Sequence, residues 1–141
     1  MKTLTVVLAG HSKENASYLV KHLFNIEEKL EVRFEIAVYD GRAFPPFFSI
    51  AIIDIDTKLG KQFYGWHSYS YRPMIIVSNF PPTLTMRTQP VKFLQRYTEM
   101  MYDNLHLFVD ELTRAERVAL SIIERELPRA TMTKCPTFSC N

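Results

Sequence analysis

The stretch TVVLAGHSKENASYLVKHL, Thr5 to Leu23, decides the fold. The segment Leu4 to Ala9 is almost entirely apolar, as is typical of a strand buried on both faces of a parallel sheet. Ser12 has the residue type of a helix N-cap, and the residues after it predict an amphipathic helix. A buried strand followed at once by such a helix favours an open α/β sheet, whose functional groups lie at the carboxyl ends of the strands. The apolar stripe of the predicted helix comprises Ala16, Leu19, Val20, Leu23 and Phe24.

Four further apolar segments predict strands, and the chain becomes helical from Thr98 onward. We therefore expect a compact α/β domain with a mostly parallel five-stranded sheet, shortened crossover helices and a C-terminal helical extension. The connection from Asp40 to Phe48 is short for a parallel crossover, so it is either a helix reduced to a turn or a hairpin. The four predicted strands are Val32 to Asp40, Ile50 to Ile55, Met74 to Val77 and Val91 to Leu94.

Composition indicates one globular domain and argues against a nucleic-acid-binding or membrane protein. The chain has 141 residues, of which 47% are hydrophobic and 23% charged, with a formal net charge of +2. That charge is too small to indicate nucleic-acid binding, and no apolar run predicts a membrane span or signal peptide. Cys135 and Cys140 are expected to be free thiols, because a chain without an export signal is expected in the reducing cytoplasm. A tail disulfide or half a metal site stays an alternative, although a lone Cys-x4-Cys spacing is a weak metal signal. No metal, cofactor or membrane partner is expected.

Four positions resemble the receiver domain of LuxR/NarL-like response regulators. The family's first strand commonly ends in Asp-Asp-His, where this chain has Ala9, Gly10 and His11. The segment AIIDI places Asp54 at the phosphoacceptor position, and IIVSN places Ser78 at the position of the family's Thr or Ser. In FLQRY, Arg96 replaces the family's Lys. The resemblance implies a receiver-like (flavodoxin-like) fold and a role in regulating transcription.

The departures from the family indicate a degenerate receiver. Receivers hold Mg²⁺ with two acids that end the first strand, together with the acceptor, and Ala9 and Gly10 supply no carboxylate. Arg96 is positioned to pair with Asp54 as a fixed ion pair. Phosphorylation is therefore not expected. His11 is not expected to act as a catalytic base, because no nucleophile accompanies it.

The C-terminal region resembles the opening of a LuxR-type helix-turn-helix. LTRAERVALSII, Leu112 to Ile123, matches the family's first helix, which divides the chain into a receiver-like domain, 1–111, and a helix with a tail, 112–141. Thr113 and Glu116 form a capping box, so either a new helix begins there or one long helix continues through it, and Pro128 predicts little helix beyond it. Too few residues follow to supply a recognition helix, so contact with DNA is expected only through a partner.

Two surfaces are candidates for binding. The stripe Met101, Leu105, Phe108 and Leu112 fits either intramolecular core or a dimer face, and we predict it as an interface. Leu107 and Val109 leave further apolar surface on the other faces of this helix. The segment Lys61 to Arg72 interleaves aromatic and basic residues, which favours rings packed on the sheet over a nucleic-acid surface.

These patterns predict a non-enzymatic pseudo-receiver regulator. It would act, without phosphorylation, as a homodimer or as a heterodimer with a complete LuxR-type regulator. Two alternatives stay open. The first is a phosphorylatable receiver that uses Asp54, and the second is a small nucleic-acid-binding module that uses Lys61 to Arg72.

Overall fold

The computed structural model describes residues 2–42, 47–79, 91–95 and 99–138, and on the last helix it describes the side chains of 102–120, 122, 123 and 125. Within these residues the chain forms five strands and three helices. In chain order they are β1 (Lys2–Ala9), α1 (Lys13–Leu30), β2 (Val32–Val38), β3 (Ile50–Asp54), α2 (Lys58–His67), β4 (Met74–Ser78), β5 (Val91–Gln95) and α3 (Glu99–Phe138).

The five strands form one parallel sheet in the order β2-β1-β3-β4-β5. The predicted α/β fold is confirmed, and its strand order is that of a flavodoxin-like, receiver-like domain. The hairpin alternative is wrong, because β2 and β3 lie on opposite sides of β1. Leu8 of β1 is in register with both Val38 of β2 and Ile52 of β3. The continuous apolar sequence of β1 suits this central position, where both faces are covered.

Helices cover both faces of the sheet. On one face, α1 and α3 bury a cluster that includes Leu8, Leu23 and Val109. On the other face, Phe63 of α2 packs with Ile53 and other residues of the strands. Among the residues described, no helix is both long and apolar enough to cross a membrane.

Helix α1 begins where the sequence predicts. The hydroxyl oxygen of Ser12 accepts a hydrogen bond from the backbone N–H of Asn15 at 3.2 Å, which confirms the N-cap. Leu19 and Leu23 are fully buried. Phe24 does not belong to the buried stripe, because it lies at its edge and is 49% exposed.

Helix α3 is continuous through the predicted break at Thr113. The Thr113 hydroxyl donates a hydrogen bond to the carbonyl oxygen of Val109 at 2.6 Å, so Thr113 is an interior helix residue and the capping box is wrong. Packing explains the continuity, because Val109 before Thr113 and Leu120 after it both contact the same core. The helix also continues beyond Pro128 to Phe138, and the predicted boundary between 111 and 112 falls inside it.

The predicted interface on α3 faces the chain's own sheet. Leu105 is fully buried, and the partly buried Phe108 and Leu112 pack against the same core. Of the two alternatives, these contacts are those of intramolecular core, and Val109 is likewise buried rather than part of an exposed patch. The side chain of Met101 lies outside the described part of α3. Among the described side chains of α3, the exposed large apolar residues are instead Leu107, Val118, Ile122 and Ile123.

Candidate functional site

The residues predicted for the phosphoacceptor pocket converge at the carboxyl edge of the sheet. Ala9 ends β1, Asp54 ends β3 and Ser78 ends β4, and these three strands are neighbours. The strand order reverses between β1 and β3, which is where open α/β sheets place ligand sites. Arg96 follows β5 and lies outside the described residues, so its expected ion pair with Asp54 stays a prediction.

Asp54 is fully buried at this edge. Its carboxylate oxygen Oδ1 accepts a hydrogen bond from the backbone N–H of Asp56 at 3.1 Å. Its backbone carbonyl accepts from the Thr57 hydroxyl at 2.9 Å and from the Thr57 N–H at 3.2 Å. The carboxylate therefore folds the turn that leads from β3 into α2, and solvent does not reach it.

Gly10, which the sequence analysis compares with the second acid of receivers, is closely packed on the side of α2. Its φ of +85° is in the region that favours glycine. A Cβ atom at Gly10 would lie 2.1 Å from the Thr57 hydroxyl oxygen and 3.0 Å from the Asp54 carbonyl oxygen. The edge between β1 and β3 is thus closed by direct packing of the loop after β1 on the start of α2.

The start of α2 supplies residues that the sequence analysis missed. Thr57 caps α2, and its hydroxyl oxygen accepts a hydrogen bond from the Gly60 N–H at 3.0 Å. A Cβ atom at Gly60 would lie 1.8 Å from the Asp54 carbonyl oxygen, so the helix approaches the end of β3 only because this residue is glycine. The signal was a threonine three residues after the end of β3, a residue type that is common at helix N-caps.

Asp56 links the ends of β3 and β4. Its Oδ1 accepts a hydrogen bond from the Ser78 hydroxyl at 3.0 Å, and its Oδ2 accepts from the Asn79 N–H at 2.9 Å. Asp56 therefore binds the ends of these two strands together. Each carboxylate oxygen has a protein donor, and this geometry needs no metal ion.

His11 covers the end of β1. Its Nε2 atom lies 2.7 Å from the carbonyl oxygen of Ile52, within hydrogen-bonding distance of β3. In the part of the chain that is described, no group of three histidine, cysteine, aspartate or glutamate side chains has the arrangement of a metal site. At the carboxyl edge, hydrogen bonds from His11 and to Asp56 thus link neighbouring strands.

The aromatic segment Lys61 to Arg72 has two different faces. Phe63 and His67 are buried, with ring centroids 4.4 Å apart, and burial lowers the pKa of His67. Trp66, Tyr69 and Tyr71 are instead 69%, 85% and 64% exposed, so the expectation that the rings pack on the sheet holds for only part of the segment.

Tyr71 has a left-handed backbone with φ of 58°, a conformation that costs energy for a residue other than glycine. It lies beside Pro73 at a groove whose opposite wall is formed by α3 through Glu111, Leu112, Ala115 and Glu116. This groove is at the amino-terminal edge of the sheet, opposite the edge formed by Gly10 and Asp54, because Pro73 directly precedes β4.

The fold and the closed carboxyl edge define a parallel α/β domain of flavodoxin-like topology. No protein-family model, curated protein or solved structure matches the chain. Its function is therefore argued from its own residues.

Proposed function

We propose that this protein is a non-catalytic, receiver-like regulator of transcription that acts through protein contacts and without phosphorylation. It pairs with itself or with a complete LuxR-type regulator, and it reaches DNA only through that partner. The observation that carries the proposal is the closed edge at β1 and β3, where Asp54 is fully buried and Gly10 packs against Thr57.

The closed edge removes two requirements of phosphoryl transfer. In-line transfer needs an accessible acceptor oxygen, and the Asp54 side chain is fully buried among its hydrogen-bond partners. It also needs a cation held against the phosphoryl oxygens, and the space for an acid at Gly10 is taken by the Thr57 hydroxyl. The proposed regulator therefore acts through proteins that bind its surface and not through phosphoryl transfer to Asp54.

The first test asks whether Asp54 is modified. The full chain is incubated with Mg²⁺ and a small-molecule phosphodonor, and its intact mass is measured beside that of the Asp54→Asn variant. We expect both masses to be unchanged. Addition of one phosphoryl group to the wild-type chain alone would contradict the proposal and favour the receiver that uses Asp54.

The second test asks for the partner. The tagged chain is captured from its native lysate with and without nuclease, and co-purifying proteins are identified by mass spectrometry. A nuclease-resistant partner with its own helix-turn-helix is expected, and Asp54→Asn should capture it equally well. Recovery of only nuclease-sensitive material would contradict the proposal.

A second candidate function rests on the exposed aromatic rings. Trp66 and Tyr69 are exposed in the same segment of the chain as Arg72, and exposed rings together with cations are the groups used to bind single-stranded nucleic acid. Salt-dependent binding of a labelled single strand, lost in a Trp66→Ala and Tyr69→Ala double variant, would support this candidate. Absence of binding at low salt would exclude it.

A further inference from the structure

The described side chains of helix α3 include two apolar stripes, one packed on the sheet and one exposed. The first stripe, which includes Leu105, Val109 and Leu112, packs on the sheet. The second consists of residues at positions i, i+3, i+4, i+7 and i+8 of the helix, the spacing of a face that packs against another element. All five are exposed: Ala115, Val118, Ala119, Ile122 and Ile123.

The exposed stripe extends past the end of the sheet. Ile123 follows Leu112 by 11 residues, or about three helical turns, so the two share an azimuth on the helix. Leu112 packs on the core, whereas Ile123 is 52% exposed. The sheet therefore covers α3 less completely at this point, and about half of the Ile122 and Ile123 side chains is exposed.

Charges flank the stripe symmetrically. Glu111 lies seven residues before Val118, and Arg125 lies seven residues after it. Seven residues are about two helical turns, so all three residues are on one side of the helix. Glu111 and Arg125 are exposed, and Val118 is 54% exposed. The carboxylate of Glu111 lies 2.8 Å from the Lys92 ammonium group, which leaves its second oxygen available to another cation.

We propose that a second copy of this chain covers the exposed stripe, with the two α3 helices antiparallel and the two-fold axis beside Val118. This arrangement places Glu111 of each copy opposite Arg125 of the other, so two ion pairs flank an apolar seam. Ala115 and Ala119 are small enough to let the helices approach closely. The inference rests on the proposed function, because it names the homodimer through which the regulator would act.

The groove beside the stripe fits the same partner. It is formed by Tyr71 and Pro73 on one side and by Ala115 on the other, so it is continuous with the exposed stripe. The ring of Tyr71, which is 64% exposed, would pack along the partner helix and add apolar area. Exposed Tyr beside a helical stripe is the composition expected at the centre of an interface.

Reversing the charges of Glu111 and Arg125 in the full chain tests the proposed dimer interface. Sedimentation equilibrium is expected to show a dimer for the wild type. Glu111→Arg and Arg125→Glu each replace two attractive pairs with two repulsive ones. The dimer dissociation constant of each variant alone should therefore be at least about tenfold higher than that of the wild type. A mixture of the two variants restores both attractive pairs, and its affinity should return close to that of the wild type, as should that of the double variant.

Apolar variants test the same seam independently. Val118→Glu should give a monomer, because it places two carboxylates at the two-fold axis. Phe24→Glu on α1 is the matched control, since Phe24 is similarly exposed at 49% but lies on another helix, and it should leave the dimer intact. Circular dichroism should show both variants folded, because neither position is in the core.

A wild-type monomer, a dimer insensitive to Val118→Glu, or a mixture that fails to restore affinity would each overturn the inference. These outcomes are distinct from failure of the proposed function. A monomer that still captures a helix-turn-helix regulator would overturn the homodimer alone. A dimer that follows the charge exchange but captures only nuclease-sensitive material would contradict the proposed function alone.

Discussion

The backbone at Gly10 packs directly against the side chain of Thr57, so that a Cβ atom added at Gly10 would lie 2.1 Å from the Thr57 hydroxyl oxygen. This single contact joins the loop after β1 to the first turn of α2. It fills the space beside Gly10 at the edge where β1 and β3 end. A larger side chain at position 10 would clash with the start of α2.

The first prediction concerns that contact. Gly10→Asp should lower the free energy of unfolding by about 2 kcal/mol or more, because it adds a clash with Thr57 and forces a positive φ on a residue with a Cβ atom. Urea denaturation measures the change. Gly65→Ala in α2 is the control, since a Cβ atom there meets nothing within 4 Å, and it should be neutral or stabilise by up to about 1 kcal/mol. Equal stability of Gly10→Asp and the wild type would show that the edge is open.

The sequence predicted the sheet well because β1, β3 and β4 are short and mostly apolar runs. Such runs as Leu4 to Ala9 have no other stable place than the centre of a parallel sheet. It failed at α2, whose two glycines and clustered rings hide the helical period, so that the N-cap at Thr57 was not recognised. The closure at Gly10 could not be predicted either, because it depends on a three-dimensional approach between two segments that are far apart in the chain.

Helix α3 shows a different limit of sequence analysis. Its sequence contains two apolar stripes, and periodicity alone does not say which stripe faces the sheet. Leu105 was assigned to an interface, yet it is fully buried, while Val118 and Ile122 are exposed. The local capping signal at Thr113 was also overridden, because the core contacts on both sides of it stabilise a continuous helix.

The second prediction concerns pH. The rings of His22 and His106 lie 5.4 Å apart between α1 and α3, and His22 stacks on Tyr102 at 4.4 Å. His22 Nδ1 and His106 Nε2 are buried without a hydrogen-bond partner in the described part of the chain. Burial, His22 and Lys29 lower the pKa of His106, and Asp103 only partly offsets them.

The direction in which stability changes with pH follows from proton binding to His106. The folded state binds this proton less tightly than the unfolded state, whose histidine pKa is about 6.5, so the free energy of unfolding should fall as the pH drops below that value. His106→Leu should flatten this dependence, which has a limiting slope of about 1.4 kcal/mol per pH unit for one histidine. Denaturation at several pH values measures the slope, and an unchanged slope in the variant would contradict the assignment to His106.

The third prediction concerns the hydroxyl of Ser49, which joins three elements of the fold. Its oxygen accepts a hydrogen bond from the Thr5 N–H at 3.1 Å, and the hydroxyl donates to Glu116 Oε1 at 3.0 Å. Ser49→Ala should therefore cost about 1–3 kcal/mol, since it leaves the Thr5 donor and the Glu116 acceptor without this partner. The exposed Ser17→Ala on α1 is the control and should change stability by no more than about 0.5 kcal/mol.

A double-mutant cycle separates the contribution of the Ser49–Glu116 hydrogen bond from that of the Ser49–Thr5 hydrogen bond. If Ser49 holds α3 against the sheet, Ser49→Ala and Glu116→Ala should be coupled by at least about 0.5 kcal/mol. Additive effects would mean that the hydroxyl stabilises only the Thr5 backbone. The docking of α3 at this edge would then depend on apolar packing alone.

The last prediction compares a buried and an exposed aromatic residue of α2. Phe63 is fully buried against Tyr39 and Phe48, whereas Trp66, three residues later on the same helix, is 69% exposed. Phe63→Ala should lower the free energy of unfolding by about 3–5 kcal/mol through lost burial and a cavity, and Trp66→Ala should change it by no more than about 0.5 kcal/mol. Thermal and urea unfolding of the two variants measure the difference. A large loss of stability in Trp66→Ala would mean that its ring supports the fold, and it would then be unsuitable as a contact for a partner or a single strand.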